Sequence, residues 1–486
     1  MTPLEHVTAR ARELLPAEAV ITDRARLRTY ECDGLAHYRV TPGLVVIPED
    51  VHQLAAIVRA CSELGVPYVA RGSGTGLSGG ALPVAEGVLI VTSRQRAIRA
   101  VRREDQRAVV EPGVINLDVT RAATPYGYYY APDPSSQQVC SIGGNVAENS
   151  GGAHCLKYGF TTNHVIGVEM VTPDGEVVRL GGDAPDTPGY DLLGAVVGSE
   201  GTLGIVTEVT VRLTRLPEHV VTVLAGFDST DRAGAAVSAI IGAGVVPAAI
   251  EMMDALAIEA AEAAVQCHYP AGAGAVLVVE LDGPSSDCEA EYADVVRLCQ
   301  DNGAFEVRTA TDAAERALIW KGRKSAFAAV GRISPDYIVQ DGVIPRTALP
   351  EVLARIAELS RESGVRVANV FHAGDGNLHP LVLFDDAVEG AGEAAEEVSR
   401  AILDLCIEHG GSITGEHGVG HDKAPYMARM FGEDDLDTMQ LVRCAFDPDH
   451  VSNPGKVFPT PRLCGEAPGR RKGVHPLQEA GLAEVF

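Results

Sequence analysis

Residues 67–81 read PYVARGSGTGLSGGA, a short apolar run followed by a glycine-rich loop. Gly74-x-Gly76-x-x-Gly79 matches the dinucleotide-binding fingerprint of a Rossmann fold. That fingerprint has to open a helix whose N-terminus carries the pyrophosphate. Here the loop continues as Gly80-Ala-Leu-Pro83, which does not predict a helix, and no acidic residue follows a second strand at the distance that would hold a ribose. We therefore exclude a Rossmann-type NAD site.

The same loop retains the features of a phosphate-binding loop. Closely spaced glycines allow several backbone N–H groups to converge on an anion. Ser73, Thr75 and Ser78 add hydroxyl donors. A plain flexible loop explains the glycines equally well, so the loop alone does not decide between the two.

The segment before the loop predicts a β-α-β unit. Residues 44–48 (LVVIP) and 66–71 (VPYVAR) are strand-like, and a helical pattern with apolar residues on one face separates them. Asp50 is placed to cap this helix, Gln53 to complete a capping-box-like pair, and Gly65 to end it. Further along, Asp174-Gly175 between two alternating runs predicts a β-hairpin.

Pattern and composition change after Pro217. Strand-like runs alternate with alanine-rich helical patterns, which favours an α+β domain with helices on one face of an antiparallel sheet. We divide the chain into a helical lead-in (1–39), a glycine-rich domain (40–216), a C-terminal domain (217–459) and a polar tail (460–486).

Composition excludes several classes of protein. The 486 residues carry a formal net charge of −26, which disfavours binding to nucleic acid. No C-x-x-C pair occurs among the 10 cysteines, so a zinc ribbon or a cysteine-ligated cluster has no signature and reduced thiols are expected. No signal peptide or transmembrane run is seen, which predicts a cytoplasmic protein with at most peripheral membrane contact.

Three segments together carry a family resemblance: residues 67–81, residues 131–152 (APDPSSQQVCSIGGNVAENSGG) and residues 198–213 (GSEGTLGIVTEVTVRL). They resemble the FAD-binding segments of the vanillyl-alcohol oxidase/p-cresol methylhydroxylase superfamily. Within it, they are most similar to the branch that contains D-lactate dehydrogenase, D-2-hydroxyglutarate dehydrogenase and the D-type subunit of glycolate oxidase. The resemblance spans about residues 40–459. It implies a two-subdomain FAD-binding domain of the p-cresol methylhydroxylase type and a substrate domain with a helix-covered antiparallel sheet.

The resemblance also implies which residues contact FAD. No histidine lies near the loop at 71–80, so the flavin is expected to bind non-covalently. The expected cofactor-binding residues are Arg71, Gly72, Ser73, Gly74, Thr75, Gly76, Ser78, Gly79, Pro132, Asp133, Ser141, Gly144, Asn145, Asn149, Gly198, Glu200, Gly201, Ile205, Val206 and Asn453, with Lys456 beside the last of them.

A second group of polar residues lies in the C-terminal half. Residues 372–379 read HAGDGNLH, so His372 and His379 flank one tight turn. Residues 413–420 read ITGEHGVG and supply Glu416 and His417. Two histidines and a carboxylate are a common ligand set for a divalent metal, although loop histidines in ordinary hydrogen bonds fit the spacing as well.

The resemblance assigns roles to these residues. His372, His379 and Glu416 match the metal ligands of the family, with zinc, manganese or iron as the metal and zinc preferred. His417 matches its catalytic base. Arg323, in the sequence WKGRK at 320–324, matches the arginine that holds the substrate carboxylate, while Lys321 and Lys324 are expected on a solvated helix face.

The activity implied is FAD-dependent oxidation of a D-2-hydroxy acid to the 2-oxo acid, with metal-assisted proton abstraction and hydride transfer to flavin N5. Electrons would leave to an acceptor protein, a quinone or O₂. Two other functions stay open: a metal-free flavin oxidase of alcohols, and a FAD-carrying subunit of a larger oxidase complex. A homodimer is also open.

Overall fold

A computed structural model describes residues 1–184 and 188–459, and the predicted polar tail at 460–486 lies outside them. The N-terminal half contains the helices α1 (Pro3–Leu14), α2 (Arg24–Leu27), α3 (Val51–Leu64), α4 (Asn116–Ala123), α5 (Ile142–Glu148), α6 (Cys155–Tyr158), α7 (Thr161–His164) and α8 (Leu192–Val196). Its strands are β1 (Val20–Ile21), β2 (Leu44–Val46), β3 (Tyr68–Arg71), β4 (Val88–Val91), β5 (Ile98–Arg102), β6 (Arg107–Val110), β7 (Tyr128–Tyr129), β8 (Val165–Val171), β9 (Val177–Gly181), β10 (Ile205–Arg212) and β11 (Thr214–Arg215).

The C-terminal half is built around longer strands. These are β12 (His219–Phe227), β13 (Ala249–Asp254), β14 (Ala275–Gly283), β15 (Glu306–Thr309), β16 (Asp336–Val339), β17 (Gly342–Val343), β18 (Val367–His372), β19 (Asn377–Leu378) and β20 (Pro380–Phe384). Its helices are α9 (Thr230–Gly242), α10 (Ala255–Val265), α11 (Ser285–Asp301), α12 (Ala313–Val330), α13 (Leu349–Ser363), α14 (Ala391–Glu408), α15 (Met427–Met430) and α16 (Glu433–Phe446).

The predicted β-α-β unit is confirmed. β4 lies between β2 and β3 and is parallel to both, and α3 connects β2 to β3. Asp50 accepts a hydrogen bond from the Gln53 backbone N–H, and Gly65 ends the helix at a φ of 62°. The Gln53 side chain bonds the backbone N–H of Glu49 instead of that of Asp50, so the reciprocal pair is shifted by one residue.

The segment predicted as a lead-in contributes to this first sheet. β1 pairs antiparallel with β2, which gives the strand order β1-β2-β4-β3. The far end of the chain also joins it, because the Tyr68 backbone N–H donates to the Val451 carbonyl and its carbonyl accepts from Asn453, both at 2.8 Å. Residues 451–453 therefore lie beside β3 and the glycine-rich loop.

A second sheet completes the N-terminal half, as the implied two-subdomain architecture predicts. It is antiparallel with the order β5-β6-β10-β8-β9. The predicted hairpin is present between β8 and β9, with Gly175 at a φ of 84°. No helix follows the loop at 71–80, since the next regular element is β4, and the exclusion of a Rossmann site stands.

The C-terminal sheet is antiparallel with the order β15-β12-β14-β13-β18-β19-β17, and β20 joins β16 to β18. Helices cover both of its faces, so the expectation of helices on one face is wrong. One face packs against α9, α11, α13 and α14, and the other packs against α10 and α12. The residues of β14 are all buried except the last, and such burial requires packing against both faces of the sheet.

Two further expectations can be compared with the described residues. None of their helices combines the length and apolarity needed to cross a bilayer. Eight of the described cysteines are free thiols.

Candidate active site

A cavity of about 920 Å³ lies between the two halves of the chain. The N-terminal half lines it with the glycine-rich loop, with the start of α5 and with residues 199–206. The C-terminal half lines it with one face of α12, with β16 and with Glu416 and His417. The predicted flavin segments and the predicted catalytic histidine therefore face the same space.

The glycine-rich loop packs closely on the segment that begins α5. The Ser73 backbone N–H donates to Ser141 Oγ at 3.2 Å. A Cβ at Gly72 would overlap that same Oγ, and a Cβ at Gly74, whose φ is 69°, would overlap the Arg71 guanidinium. The positive φ at Gly74 and the close approach of Gly72 to Ser141 both favour glycine in this loop.

A network of amides orders the other side of the cavity. Asn145 accepts a hydrogen bond from Asn116 Nδ2 at 3.0 Å and donates to Ser150 Oγ at 3.2 Å. Asn116 also donates to the Pro132 carbonyl at 3.1 Å. This network holds residues 132–134 and residues 145–149 in a fixed relative position.

Glu200 connects the N-terminal half to the loop that carries His417. Its carboxylate accepts from the backbone N–H groups of Val419 at 2.7 Å and Gly420 at 2.6 Å. Burial raises the pKa of Glu200 to about 7, although these two hydrogen bonds act to lower it. Asn453 Nδ2 bonds the carbonyls of Glu200 and Gly80, so three distant segments meet at this point.

Most of the predicted FAD residues line the cavity: Arg71, Gly72, Ser73, Gly74, Thr75, Gly76, Ser141, Gly144, Asn145, Glu200, Gly201, Ile205 and Val206. The remainder are not among the lining residues: Ser78, Gly79, Pro132, Asp133, Asn149, Gly198 and Asn453. Their described contacts are with protein. Asn149, for example, ends α5 at a φ of 54° and accepts a hydrogen bond from the Thr162 backbone.

The predicted metal ligands come together. One oxygen of Glu416 lies 3.4 Å from His372 Nε2 and 3.1 Å from His379 Nε2. His417 Nε2 is 3.8 Å from the same oxygen, and the rings of His379 and His417 stack at 4.9 Å. Burial alone would raise the pKa of Glu416, but hydrogen bonds from His372 and His379 lower it well below its usual range.

Glu251, which the sequence did not suggest, orients this group from behind. Its Oε1 lies 2.7 Å from His372 Nδ1, and its Oε2 lies 2.5 Å from the guanidinium of Arg323. Arg323 is only 2% exposed and is not among the lining residues of the cavity. Within the described residues its Nε has no hydrogen-bond acceptor. Lys324 is partly exposed, lines the cavity and lies 3.6 Å from a carboxylate oxygen of Asp133.

Asp341, also missed, holds the loop that carries Glu416 and His417. It is fully buried and accepts hydrogen bonds from the Thr414 hydroxyl at 2.5 Å and from the backbone N–H of His417 at 2.8 Å. Lys423 lies 3.5 Å away. Burial would raise the pKa of Asp341, but His417, Lys423 and His379 hold it well below the usual range.

The donor set fits a divalent metal. Nδ1 of His372 is hydrogen-bonded to the carboxylate of Glu251, and Nδ1 of His379 lies 3.4 Å from the Gln340 carbonyl. The Nε2 atoms of both histidines therefore face Glu416. Such hydrogen bonds orient metal-binding histidines in general. Glu416 Oε2 is buried with no hydrogen-bond partner in the described part of the chain. Asp341, His379 and His417 are also close enough together to bind an ion. The carboxylate of Asp341, however, already accepts hydrogen bonds from backbone N–H groups.

His417 is uncharged and therefore free to accept a proton, although its lowered pKa also makes it a weaker base. Burial lowers its pKa to about 4, although Asp341 opposes the shift. The imidazole is therefore neutral at neutral pH, with Nε2 on the side of Glu416.

A further buried cluster joins the two halves around His154, which no local pattern in the sequence singled out. Its Nδ1 lies 2.9 Å from Asp133, and its Nε2 lies 3.2 Å from Glu280 on β14. Its ring stacks on Trp320, whose Nε1 donates to Glu280 at 2.6 Å. Burial would lower the pKa of His154, but the two carboxylates raise it to about 10.

The His154 cluster predicts a pH-dependent stability. The pKa of His154 is higher in the folded chain than its ordinary value of 6.5, so its contribution is complete below pH 6.5 and is lost as the pH rises through about 10. We expect His154→Gln to cost roughly 3 kcal/mol at pH 6 and progressively less toward pH 10. Urea unfolding across this pH range measures the difference. His37→Gln, at a half-exposed ion pair with Glu396, is the control and should change little. A pH-independent cost for His154→Gln would contradict the account.

Comparison with known proteins identifies the chain. Residues 42–181 match the model of the FAD binding domain, and residues 216–457 match that of the C-terminal domain of FAD linked oxidases. The glycolate oxidase subunit GlcD of Escherichia coli K12 is 52% identical over 455 residues, which cover 94% of this chain and 91% of that protein. The chain belongs to the FAD-linked oxidases. It is a FAD-dependent oxidoreductase, and the predicted resemblance is confirmed.

Two further similar proteins agree. A D-lactate dehydrogenase of Anaerostipes hadrus is 31% identical over 461 residues, covering 92% of this chain and 96% of that protein. The crystal structure of p-cresol methylhydroxylase with substrate bound superposes with a TM-score of 0.77 at 15% identity, over 94% of this chain and 96% of the other. This likeness confirms the predicted fold of the FAD-linked oxidase.

Proposed function

We propose that this FAD-linked oxidase converts a D-2-hydroxy acid of the glycolate, D-lactate or D-2-hydroxyglutarate class to the 2-oxo acid. The observation that carries the proposal is that His372, His379 and Glu416 converge beside His417, and that Glu416 and His417 line the cavity that the FAD-binding segments also line. Similarity to a glycolate oxidase component and to a D-lactate dehydrogenase supports the substrate class.

The cofactors would be held by the residues already described. FAD would occupy the cavity along the loop at 71–76 and residues 199–206, and a divalent metal (zinc, manganese or iron) would bind His372, His379 and Glu416. When bound, FAD supplies an acceptor for the hydride that leaves C2, and the metal supplies a positive charge that lowers the pKa of the substrate hydroxyl.

His417 then takes the hydroxyl proton at a ring nitrogen, because its imidazole is neutral and buried beside Glu416. Arg323 binds the substrate carboxylate, since its buried guanidinium retains a donor, Nε, without an acceptor among the described residues. Glu251 holds Arg323 and His372 together, so carboxylate and hydroxyl are bound at a fixed separation.

The electrons would pass to an acceptor protein, a quinone or O₂. The word subunit in the name of the Escherichia coli relative supports assembly with further oxidase subunits. We assign residues 40–216 to FAD binding and residues 217–459 to substrate and metal, in a cytoplasmic protein.

A substrate panel tests the proposal. The FAD-loaded protein is assayed with glycolate, D-lactate, D-2-hydroxyglutarate and a simple aryl alcohol, using an artificial electron acceptor. We expect turnover with at least one D-2-hydroxy acid, loss of that turnover after metal removal by a chelator, and recovery on adding zinc or manganese. Turnover of the alcohol alone, unaffected by chelation, would contradict the proposal and support a metal-free alcohol oxidase.

A further inference from the structure

One face of α12 forms part of the cavity wall. Lys324, Phe327 and Ala328 line the cavity and are spaced i, i+3 and i+4, so they share one side of the helix. The opposite side, including Ile319, Ala326 and Val330, is buried against the sheet. Phe327 is the large apolar side chain that this helix directs toward the cavity.

Phe327 contacts both parts of the proposed substrate site. Its ring meets the ring of His379 edge-on, with centroids 5.7 Å apart and an interplanar angle of 65°. The guanidinium carbon of Arg323 lies 5.8 Å from the centre of the same ring. The ring is therefore the apolar surface between the group that would bind the hydroxyl and the group that would bind the carboxylate.

We propose that Phe327 determines the size of the side chain that the enzyme accepts on C2 of its substrate. This inference rests on the proposed function. In the proposed reaction two of the four groups on C2 would be anchored, the hydroxyl at the histidine cluster and the carboxylate at Arg323, and the hydrogen would be the group transferred. The fourth group, hydrogen in glycolate or methyl in D-lactate, is left to meet the wall next to both anchors. The ring of Phe327 forms that wall and favours short side chains.

The test compares wild type with Phe327→Ala on D-lactate and on D-2-hydroxyisocaproate, whose side chain is branched and longer. One methylene more or less in an apolar pocket typically changes kcat/KM by roughly tenfold or more. We therefore expect the ratio of kcat/KM for D-2-hydroxyisocaproate over D-lactate to rise at least about tenfold in Phe327→Ala. Phe327→Leu, which keeps more bulk, should give a smaller rise in the same direction.

Phe384→Ala is the matched control. Phe384 is another half-buried aromatic residue of the cavity wall, but it lies at the end of β20 and has no described ring contact with the histidines. Its truncation should leave the substrate ratio within about twofold of wild type.

The outcomes separate the inference from the proposed function. FAD content and thermal unfolding are recorded for every variant, and Phe327→Leu replaces Phe327→Ala if the latter does not retain FAD. An unchanged ratio in an FAD-loaded Phe327 variant, or an equal rise in Phe384→Ala, overturns the inference while wild-type activity stands. Failure of the wild type to oxidise any D-2-hydroxy acid would overturn the proposed function itself.

Discussion

Replacing His417 by asparagine is expected to slow flavin reduction by a D-2-hydroxy acid by roughly 10²- to 10⁴-fold, the contribution typical of a positioned general base. The substitution removes the imidazole that is neutral, buried and 3.8 Å from Glu416 through Nε2. Asparagine keeps a polar side chain of similar size but cannot accept the proton. Anaerobic mixing of the FAD-loaded variant with substrate, followed by flavin absorbance, measures the rate.

The control for His417 is His421→Asn. His421 lies four residues further along the same segment, is exposed and stacks edge-on against Tyr38. Its replacement should leave flavin reduction close to the wild-type rate. If His417→Asn, with normal FAD and metal content, reduces its flavin as fast as His421→Asn does, then His417 is not the base.

Replacing Asp341 by asparagine is expected to damage both stability and catalysis. The carboxylate is the common acceptor for Thr414 and for the backbone N–H groups of residues 415–417, and it is the counter-charge of the buried Lys423. An amide cannot accept all of these bonds and leaves Lys423 without its partner. Breaking a buried charge pair on one side costs about 3–5 kcal/mol. We expect a loss of this size in the free energy of unfolding.

The same substitution should weaken metal binding, because Glu416 and His417 lose the support of their backbone. Loss of such supporting hydrogen bonds typically lowers metal affinity roughly 10- to 100-fold. Asp385→Asn is the control, since Asp385 is exposed and accepts a single local hydrogen bond from Ala387. Urea unfolding and zinc titration would be run on both variants. Wild-type values for Asp341→Asn would refute the role assigned to Asp341.

The sequence predicted the elements whose signals are local. The helix between Asp50 and Gly65 and the Asp174-Gly175 hairpin depend on caps and turn residues that lie within a few positions of each other. The glycine-rich loop was ambiguous by itself, and three segments in order were needed to identify a flavin site. His372 and His379 were found because they flank one turn.

The supporting residues were missed because their partners are distant in sequence. Glu251 meets His372 only when β13 pairs with β18, across 121 positions. Asp341 reaches residues 414–417 across a separation of more than 70, and His154 reaches Glu280 across 126. No local pattern marks such carboxylates, since an isolated charged residue in or beside a strand is usually solvated.

The sequence of β14 does contain a signal for helices on both faces of the C-terminal sheet. The run AVLVVEL in β14 is continuously apolar up to its glutamate, and strands buried on one face only alternate instead. The run therefore indicated cover on both faces, and α10 and α12 provide the second layer.

In the proposed reaction the histidine cluster and the flavin cavity act on the same carbon atom, C2 of a D-2-hydroxy acid. Anaerobic mixing of the FAD-loaded, metal-loaded protein with D-lactate and with D-lactate deuterated at C2 tests it most directly. We predict bleaching of the flavin absorbance in a single turnover, slower with the deuterated acid because the C2–H bond breaks in that step. Absence of bleaching with D-lactate, glycolate and D-2-hydroxyglutarate alike would contradict the account.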